Sequence, residues 1–403
     1  HHLPDKKDFI MPIKKGINSS DIKHTNRGLV LKMVSVESGL SRSTIAKHIG
    51  LTKMAVSNIV TELIENGYLT ETQAAPVSGA GRNPVLLDIA PHAPLVVGIY
   101  LSRDSLSVIC TDLKLQEKYR QSVVLQDETA ESLRDKLRML TDDMLAAQTE
   151  KILGIGVSAI GLLDIRSGLL LNPRNFFGIQ NFPIVRLLKE WYGLPVLLHN
   201  DMKAAALAEK LFGRWKNTNN FIYLGITNGI GSGIISDGQL FRDSCDTAGE
   251  IGHLSLDMNG PICSCGRRGC LEAYISMPLI LNRIKKACNM SSLTADQLRM
   301  VADDWRAIPI LEDMTDKLAF ALTDMVNLLD TEVIIIGHEG SYLPQQYLDR
   351  LSDEINLSIF SSGYKRVEIC PSSFGTEAPL FGSACCVLAS LFSGEIYGAD
   401  IAD

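Results

Sequence analysis

The sequence lacks an uninterrupted apolar run of about 18 residues, the length that a membrane-spanning helix needs. It also lacks the pattern of a secretory signal peptide, in which a basic start is followed by an apolar core and a cleavage site. Membrane insertion and secretion are therefore disfavoured, and we expect a cytoplasmic protein. A chain of 403 residues with 46% hydrophobic and 21% charged residues is ordinary for a globular protein of two or three domains.

A disulfide framework is also lacking. Nine cysteines are an odd number, and six of them lie scattered through apolar or mixed stretches. We interpret these six as reduced interior residues: Cys110, Cys245, Cys288, Cys370, Cys385 and Cys386.

The remaining three cysteines belong to the most specific motif of the chain. Cys263 and Cys265 are two positions apart, Cys270 follows five later, and His253 precedes them. Zn²⁺ prefers four tetrahedral nitrogen and sulfur ligands, so these side chains predict one zinc ion per chain. Four protein ligands leave no open position for a reactive water, which makes the predicted zinc structural. The alternatives are a disulfide within the motif or free thiols in a turn.

Charge is distributed unevenly along the chain. Residues 1–90 contain 11 basic and 8 acidic residues, a net charge of +3, whereas the remainder contains 28 and 38, a net charge of −10. Only the N-terminal part therefore suits a polyanion such as DNA. The difference is modest, so this interpretation depends on the helices predicted there.

Periodicity predicts three helices in this basic part. The first covers residues 27–37, the second follows a cap at Ser41 or Ser43 and ends at Ile49, and the third spans Lys53–Glu65. This is helix-turn-helix spacing, in which the third helix enters the major groove with its first residues leading. The side chains expected at phosphates and base edges are Thr52, Lys53, Ser57 and Asn58. The alternative is a three-helix packing unit with a solvated polar face.

Two short strands, residues 67–72 and 82–89, follow the third helix and are joined by small flexible residues. This arrangement predicts a wing. Its tip, Gly81-Arg82, is slim and cationic and suits a minor groove, which adds Arg82 to the expected DNA contacts. The alternative interpretation is that Arg82 is a solvated loop residue with no DNA contact.

Beyond a linker near residues 90–94, strands and helices alternate, which predicts an α/β fold. The first group of predicted elements comprises strands 95–101 and 105–112, helix 131–148 and strand 152–158. The second group comprises strand 196–199, helix 202–212, strands 221–227, 233–236 and 332–337, and a final apolar helix over 379–392.

The cysteine motif also carries a family resemblance. Cys-x-Cys-Gly-x-x-Gly-Cys-x-Glu, after Gly249-Glu-Ile-Gly-His253, resembles the signature of the ROK proteins, which comprise sugar kinases and sugar-responsive repressors. Residues 91–393 are similar to a ROK domain, and the first 90 resemble the winged helix of the repressor branch. The resemblance implies a two-lobed, actin-like ATPase fold shared with hexokinases. Its expected domains are a winged helix at 18–90, a first lobe at 91–197 completed by helix 376–393, and a second lobe at 198–375 with the zinc motif and sugar site.

The resemblance further implies a set of sugar-binding residues. Asp201 matches the family carboxylate that takes the proton from the phosphorylated sugar hydroxyl, here expected to be vestigial. The implied sugar-binding set is Asn175, Asn200, Asp201, Glu250, His253 and Glu272. His253 would ligate zinc through one ring nitrogen and face the sugar with the other. The alternatives are helix capping for Asn200 and Asp201 and a turn for Asn175.

The nucleotide half departs from the family kinases. Their Asp-x-Gly-Gly-Thr loop falls at residues 100–104, Tyr-Leu-Ser-Arg-Asp, where the metal-binding carboxylate and both glycines are missing. Side chains there obstruct the phosphate cradle, and Asp104 adds like charge. A second loop, residues 227–233, is mostly retained, and His338 occupies a turn position often held by glycine.

The resemblance therefore predicts a ROK-type transcriptional regulator, a repressor that binds a palindromic operator as a homodimer or dimer of dimers. Its kinase-like domain is expected to sense a sugar or sugar phosphate without phosphorylating it. The alternatives are an active ATP-dependent sugar kinase with a DNA-binding module and a repressor controlled mainly by a protein partner.

Overall fold

The computed structural model describes residues 19–73, 85–173, 176–241 and 247–396. The chain divides into two units. One contains the described residues up to Ala90 together with those from Ser390 onward, and the other contains Pro91–Ala389.

The first unit contains three helices and a two-stranded antiparallel sheet. Its elements are α1 (Ser19–Val36), α2 (Arg42–Ile49), α3 (Lys53–Glu65), β1 (Leu69–Gln73) and β2 (Val85–Ile89). The predicted bounds of the third helix are confirmed. Helix α1 begins eight residues earlier than predicted, because its first two turns are polar and mostly exposed and so carry no apolar period.

Local capping explains where the second and third helices begin. The Thr44 amide donates to Ser41 Oγ at 3.2 Å, and the Ala55 amide donates to Thr52 Oγ1 at 3.2 Å. Of the two predicted caps for the second helix, Ser41 is therefore the one used. Gly50 ends α2 with φ 70°, a left-handed conformation that glycine adopts without strain.

Helix α1 also packs against the C-terminal residues of the same unit. A Cβ atom added at Gly28 would lie 2.3 Å from the carbonyl oxygen of Phe392, so only glycine allows this approach. Arg27 of α1 forms an ion pair with Glu62 of α3. The helices are otherwise joined by buried aliphatic side chains: Val30, Leu31, Val34, Ile45, Val56, Val60 and Leu63.

The second unit contains two five-stranded sheets, each with helices, and confirms the α/β class. The elements around the first sheet are β3 (Leu95–Leu101), β4 (Ser105–Thr111), β5 (Glu117–Val124), α4 (Ala130–Ala146), β6 (Ile152–Ala159), β7 (Leu163–Asp164), β8 (Leu169–Leu170), α5 (Ile184–Tyr192) and β9 (Val196–Asn200). The sheet order is β5-β4-β3-β6-β9, with β6 parallel to both β3 and β9. Strand β5 was not predicted, because this edge strand is mostly polar and exposed.

The elements around the second sheet are α6 (Asp201–Phe212), β10 (Phe221–Ile226), β11 (Ile230–Ser236), β12 (Gln239–Leu240), α7 (Glu272–Ile275), α8 (Met277–Ala287), α9 (Leu298–Val301), α10 (Ile308–Leu329), β13 (Val333–His338), α11 (Gln345–Ser358), β14 (Glu368–Pro371) and α12 (Ala378–Ser393). The sheet order is β12-β11-β10-β13-β14, and β13 is parallel to β10 and β14. Strand β11 begins three residues before its predicted start, because its glycines weaken the apolar pattern.

Helix α12 packs closely on the first sheet. A Cβ atom added at Gly156 of β6 would lie 1.8 Å from the Ser383 carbonyl oxygen, and one at Gly98 of β3 would lie 2.2 Å from Ser383 Oγ. Within the described residues, the helical segment Gly375–Ser393 is long and apolar enough to cross a membrane, but 72% of that window is buried inside the protein. Such burial is typical of a core helix.

Candidate functional site

Four side chains from one short stretch converge on a common point. Cys263 Sγ lies 3.7 Å from His253 Nδ1, and Cys265 Sγ lies 3.6 Å from Cys270 Sγ. All four ligand atoms lie within 4.8 Å of one another. In a tetrahedral zinc site with Zn–S bonds of about 2.3 Å, neighbouring sulfur atoms are separated by about 3.8 Å. The donor set and its spacing therefore fit a metal ion.

Two glycines make this convergence possible. Gly266 and Gly269 have φ values of 86° and 71°, a region that other residues rarely adopt. A Cβ atom at Gly269 would lie 1.7 Å from the carbonyl oxygen of Asp257, so the backbone approach excludes any side chain there. None of the described cysteines forms a disulfide bond, which removes the disulfide alternative for this motif. The cluster can hold a metal ion.

Asn200 and Asp201 lie where β9 passes into α6, at the carboxyl end of the first sheet. The Met202 amide donates to Asn200 Oδ1 at 3.0 Å and to Asp201 Oδ1 at 2.9 Å. Asn200 therefore caps the helix, as the alternative interpretation expected. Asp201 is buried, which is unusual for a carboxylate whose only task is capping.

The environment of Asp201 shifts its acidity. Burial raises the pKa of Asp201 from its ordinary value to about 7; the backbone amide of Met202 opposes that rise, and the nearby charge of Glu250 adds to it. Arg103, on the turn after β3, partly offsets the effect of Glu250 on the pKa. Asp201 and Glu250 are thus close enough to interact, although they are far apart in the sequence.

Glu250 is held by the second sheet. It follows Gly249, whose carbonyl oxygen accepts hydrogen bonds from the Ser232 amide at 3.1 Å and from Ser232 Oγ at 2.7 Å. The Glu250 side chain is exposed. Because His253 of the cluster lies in the 3₁₀ turn that begins directly after Glu250, both residues belong to one short segment.

Glu272 joins the metal motif to the retained glycine loop. Its Oε2 accepts a hydrogen bond from the Ile230 amide at 3.1 Å, and a Cβ atom at Gly229 would lie 2.8 Å from that oxygen. Thr227 Oγ1 accepts from the Gly229 amide at 3.2 Å. The loop between β10 and β11 is therefore a tight turn held by its own threonine and by Glu272.

The turn between β3 and β4 is also held by its own side chains. Ser102 Oγ donates to Asp104 Oδ1 at 2.8 Å and accepts from the Ser105 amide at 2.9 Å. The Ser102 amide donates to the Ser105 carbonyl oxygen at 2.9 Å. A phosphate-binding loop directs its backbone amides at the ligand, whereas the amides of Ser102 and Ser105 donate within the turn.

A hydrogen bond between the two lobes was not foreseen from the sequence. Tyr100 Oη, on β3, lies 3.3 Å from His338 Nε2, at the end of β13. His338 has φ 53°, which is strained for a residue with a Cβ atom. The only sequence signal was that a histidine occupies a turn position where the related kinases often have glycine.

The predicted DNA-contacting residues of α3 differ in their surroundings. Thr52, Lys53 and Asn58 are exposed, and the exposed Met54 was not predicted. Ser57 is half-buried, and its carbonyl oxygen accepts a hydrogen bond from Arg42 Nη1 at 3.2 Å. Two predicted site residues, Arg82 and Asn175, lie outside the described residues.

Comparison with known proteins places these features in a family. The model of the ROK family matches residues 96–390. The chain belongs to the ROK family. The matched residues include the four members of the histidine-cysteine cluster as well as Glu250 and Glu272.

The ROK relatives include proteins that match almost the entire chain. The chain is 31% identical to the xylose repressor of Caldicellulosiruptor bescii, over 94% of this chain and 99% of the repressor. A crystal structure of a ROK family transcriptional regulator, a homologue of the Escherichia coli Mlc protein, has a TM-score of 0.81 at 23% identity and covers 94% of this chain and 98% of its own. That likeness shows the fold of both units.

A ROK kinase matches less of the chain. The structure of the ROK hexokinase from Thermus thermophilus has a TM-score of 0.63 at 28% identity, and it covers 72% of this chain and 97% of its own. The predicted two-lobed ROK fold is confirmed by this likeness.

Proposed function

We propose that this ROK protein is a sugar-responsive transcriptional repressor. The observation that carries the proposal is the match with a repressor over almost the full length of both chains, including the first unit. Helices α2 and α3 have helix-turn-helix spacing, and the polar N-terminal residues of α3 are exposed, as a recognition helix requires. The protein acts on operator DNA in the cytoplasm, as a homodimer on a two-fold symmetric site.

The metal ion of the cluster is zinc in this proposal. Three thiolates and one imidazole are the donors that zinc takes in closed structural sites. His253, Cys263, Cys265 and Cys270 would hold it, and the ion would supply a fixed geometry to the turn that carries Glu250. A structural zinc ion of this kind would hold the ligand-binding residues in place without taking part in a reaction.

The sugar sensor in this proposal is a set of five residues that we call the carboxylate site: Asn200, Asp201, Glu250, His253 and Glu272. They offer acceptors and an imidazole to sugar hydroxyl groups. Sugar binding shifts the protein toward a state with lower operator affinity, by an amount limited to the difference in sugar affinity between the two states.

Phosphoryl transfer is not part of the proposed function. The turn at Ser102 uses its donors internally and carries a carboxylate at Asp104, so it does not provide the cradle that ATP phosphates require. Two observations favour the competing sugar kinase: Asp201 is a buried carboxylate beside a retained glycine loop, and a hexokinase shares the fold of the second unit. Control mainly by a protein partner is the other alternative.

The test of this function combines operator binding and enzyme assays. We expect the full chain to bind its operator and D-xylose or another neutral sugar to weaken that binding. We also expect no ATP-dependent phosphorylation of the same sugar, because the donor side is incomplete. Sustained phosphorylation of the sugar, or operator binding that no sugar alters, would contradict the proposed sensor function.

Lys53 is expected to contribute to DNA affinity through a phosphate contact. Lys53→Ala should weaken operator binding and reduce the slope of log affinity against log salt by about 1, because one fewer counterion is released. Fluorescence anisotropy at several salt concentrations measures both quantities. Lys286→Ala, a change of the same charge on α8 in the other unit, is the control. Equal slopes in the Lys53 and Lys286 variants would place recognition elsewhere.

A further inference from the structure

We infer that Met54 reads the operator sequence by packing its side chain against the C5-methyl group of a thymine in the major groove. The inference rests on the proposed DNA-binding function and names one base that the protein recognises. Three features of the first unit carry it: the exposure of Met54, its place at the start of α3, and the contacts of Arg42 further along the same side of that helix.

Met54 is the most exposed large apolar side chain among the described residues of the first unit. It is 76% exposed, whereas the other exposed large apolar side chains there, Ile22, Leu29 and Val85, lie between 36% and 52%. A single exposed apolar residue is common on protein surfaces and needs no explanation by itself. Because Met54 contributes little to the packing of its own unit, its position decides what it contributes instead.

Met54 is the second residue of α3, which begins after the cap at Thr52. The side of α3 that faces the core of the first unit carries four buried residues: Val56, Ile59, Val60 and Leu63. At about 100° per residue, Met54 lies on the opposite side, and Asn58 and Thr61 follow one and two turns later on that side. A recognition helix directs its N-terminal residues at base edges, so Met54 lies where a base contact is expected.

The later part of this side of α3 is covered by Arg42 of α2. The Arg42 guanidinium donates to the Ser57 carbonyl oxygen at 3.2 Å, to Thr61 Oγ1 at 3.3 Å and to Glu71 Oε1 at 2.8 Å. It also donates to Ser57 Oγ at 3.4 Å. Met54 lies before these contacts along the helix and is exposed, so the first turn of α3 is accessible to DNA.

The chemistry of a methionine side chain selects one group on the base edges. Adenine, guanine and cytosine present hydrogen-bond donors and acceptors in the major groove, whereas thymine also presents its C5-methyl group. A thioether donates no hydrogen bond and accepts only weakly, so a polar base edge offers Met54 little. Its three rotatable bonds let it adapt to the shape of a methyl group. Removal of both apolar surfaces from water therefore favours thymine beside Met54.

Two exposed neighbours of Met54 supply different interactions. Asn58 lies one turn later, and asparagine reads adenine through paired hydrogen bonds. Lys53 precedes Met54, and lysine pairs with phosphate. Neither interaction depends on a methyl group at C5 of a pyrimidine. Removal of that methyl group therefore tests Met54 without testing Lys53 or Asn58.

The experiment uses the full chain and a duplex that it selects from a pool of random DNA sequences. Each thymine is replaced in turn by deoxyuridine, which removes only the C5-methyl group, first in one half-site and then in both. At one thymine position we expect the wild type to lose about fourfold in affinity per half-site, or about 15-fold when both are changed. In Met54→Ala the change in both half-sites should cost less than about twofold.

Asn58→Ala and Met300→Ala are the controls. Asn58→Ala removes a polar side chain from the same side of α3 and should weaken binding while the discrimination between thymine and uracil is retained. Met300 is 80% exposed on α9 in the other unit, and its replacement should alter neither quantity. Fluorescence anisotropy at reduced salt brings weakly binding variants into the measurable range, because phosphate contacts strengthen as the salt concentration falls.

The possible outcomes separate this inference from the proposed function. A thymine position whose sensitivity disappears in Met54→Ala and persists in both controls supports the contact. If no thymine position is sensitive, or if the wild type and Met54→Ala are equally sensitive, the inference is overturned and operator binding stands. A chain that selects no duplex from the pool overturns the proposed DNA-binding function and the inference with it.

Discussion

Cys265→Ser is expected to abolish metal binding, from about one zinc ion per chain to almost none. A closed site of three thiolates and one imidazole binds zinc tightly at neutral pH, and a serine hydroxyl is a much poorer ligand for that ion. Elemental analysis of protein prepared without chelator measures the stoichiometry. Cys288→Ser, the same chemical change outside the cluster, should retain the metal.

Loss of the metal should also affect the sugar site. His253 belongs to the cluster and is also the last residue of the turn that begins after Glu250, so a bound ion would fix the orientation of that turn. We expect the Cys265 variant to lose its thermal response to sugar while retaining a folded first unit that binds DNA. A wild-type protein without zinc, or a Cys265 variant with full zinc content, would contradict the assignment of the cluster.

Asp201→Asn is expected to remove the response of operator binding to sugar without weakening operator binding in its absence. The Asp201 carboxylate is buried at the carboxyl end of β9. Its oxygens carry more negative charge than an amide oxygen and therefore accept stronger hydrogen bonds. Operator affinity with and without saturating sugar measures the effect. Glu209→Gln neutralises a second buried carboxylate on α6 and is the control, since Glu209 accepts hydrogen bonds from Ser372 and Ser373, which lie outside the carboxylate site. A sugar response that survives in Asp201→Asn would move the effector site elsewhere.

The same residue should make stability depend on pH. Burial raises the pKa of Asp201 to about 7, so the native state holds this proton more tightly than the unfolded chain does. The contribution of Asp201 to the free energy of unfolding is therefore largest below its unfolded pKa of about 4 and is lost as pH rises toward about 7. Urea unfolding at pH 5 and pH 8 measures this dependence. Between these two pH values the free energy of unfolding should decline less for Asp201→Asn than for the wild type.

Elements with strong local signals were predictable from the sequence. Helix α3 begins and ends at the predicted residues because Thr52 supplies its cap and its apolar stripe is regular. The metal cluster was predictable for a similar reason. Its four ligands lie in one short stretch, and the turns between them require glycine, so spacing alone restricts the geometry.

Elements with weak local signals were missed. The first turns of α1 and the edge strand β5 are polar, and they form because their neighbours supply packing and hydrogen bonds. The contact of Arg42 with the Ser57 carbonyl oxygen was also missed, because a helical pattern does not show which side chain from another helix lies beside a given position. Ser57 stays a predicted DNA contact.

The sequence by itself determined the helix-turn-helix spacing and the four residues of the histidine-cysteine cluster, because each depends on short-range spacing. The carboxylate residues were predicted from the family resemblance and stay a prediction. Only the tertiary structure decided how these groups act together. Tyr100 and His338 are 238 positions apart and belong to strands of two different sheets, so their hydrogen bond depends on how those sheets pack together. The burial that raises the pKa of Asp201 likewise comes from packing around α6, since the solvation of a carboxylate depends on what surrounds it in three dimensions.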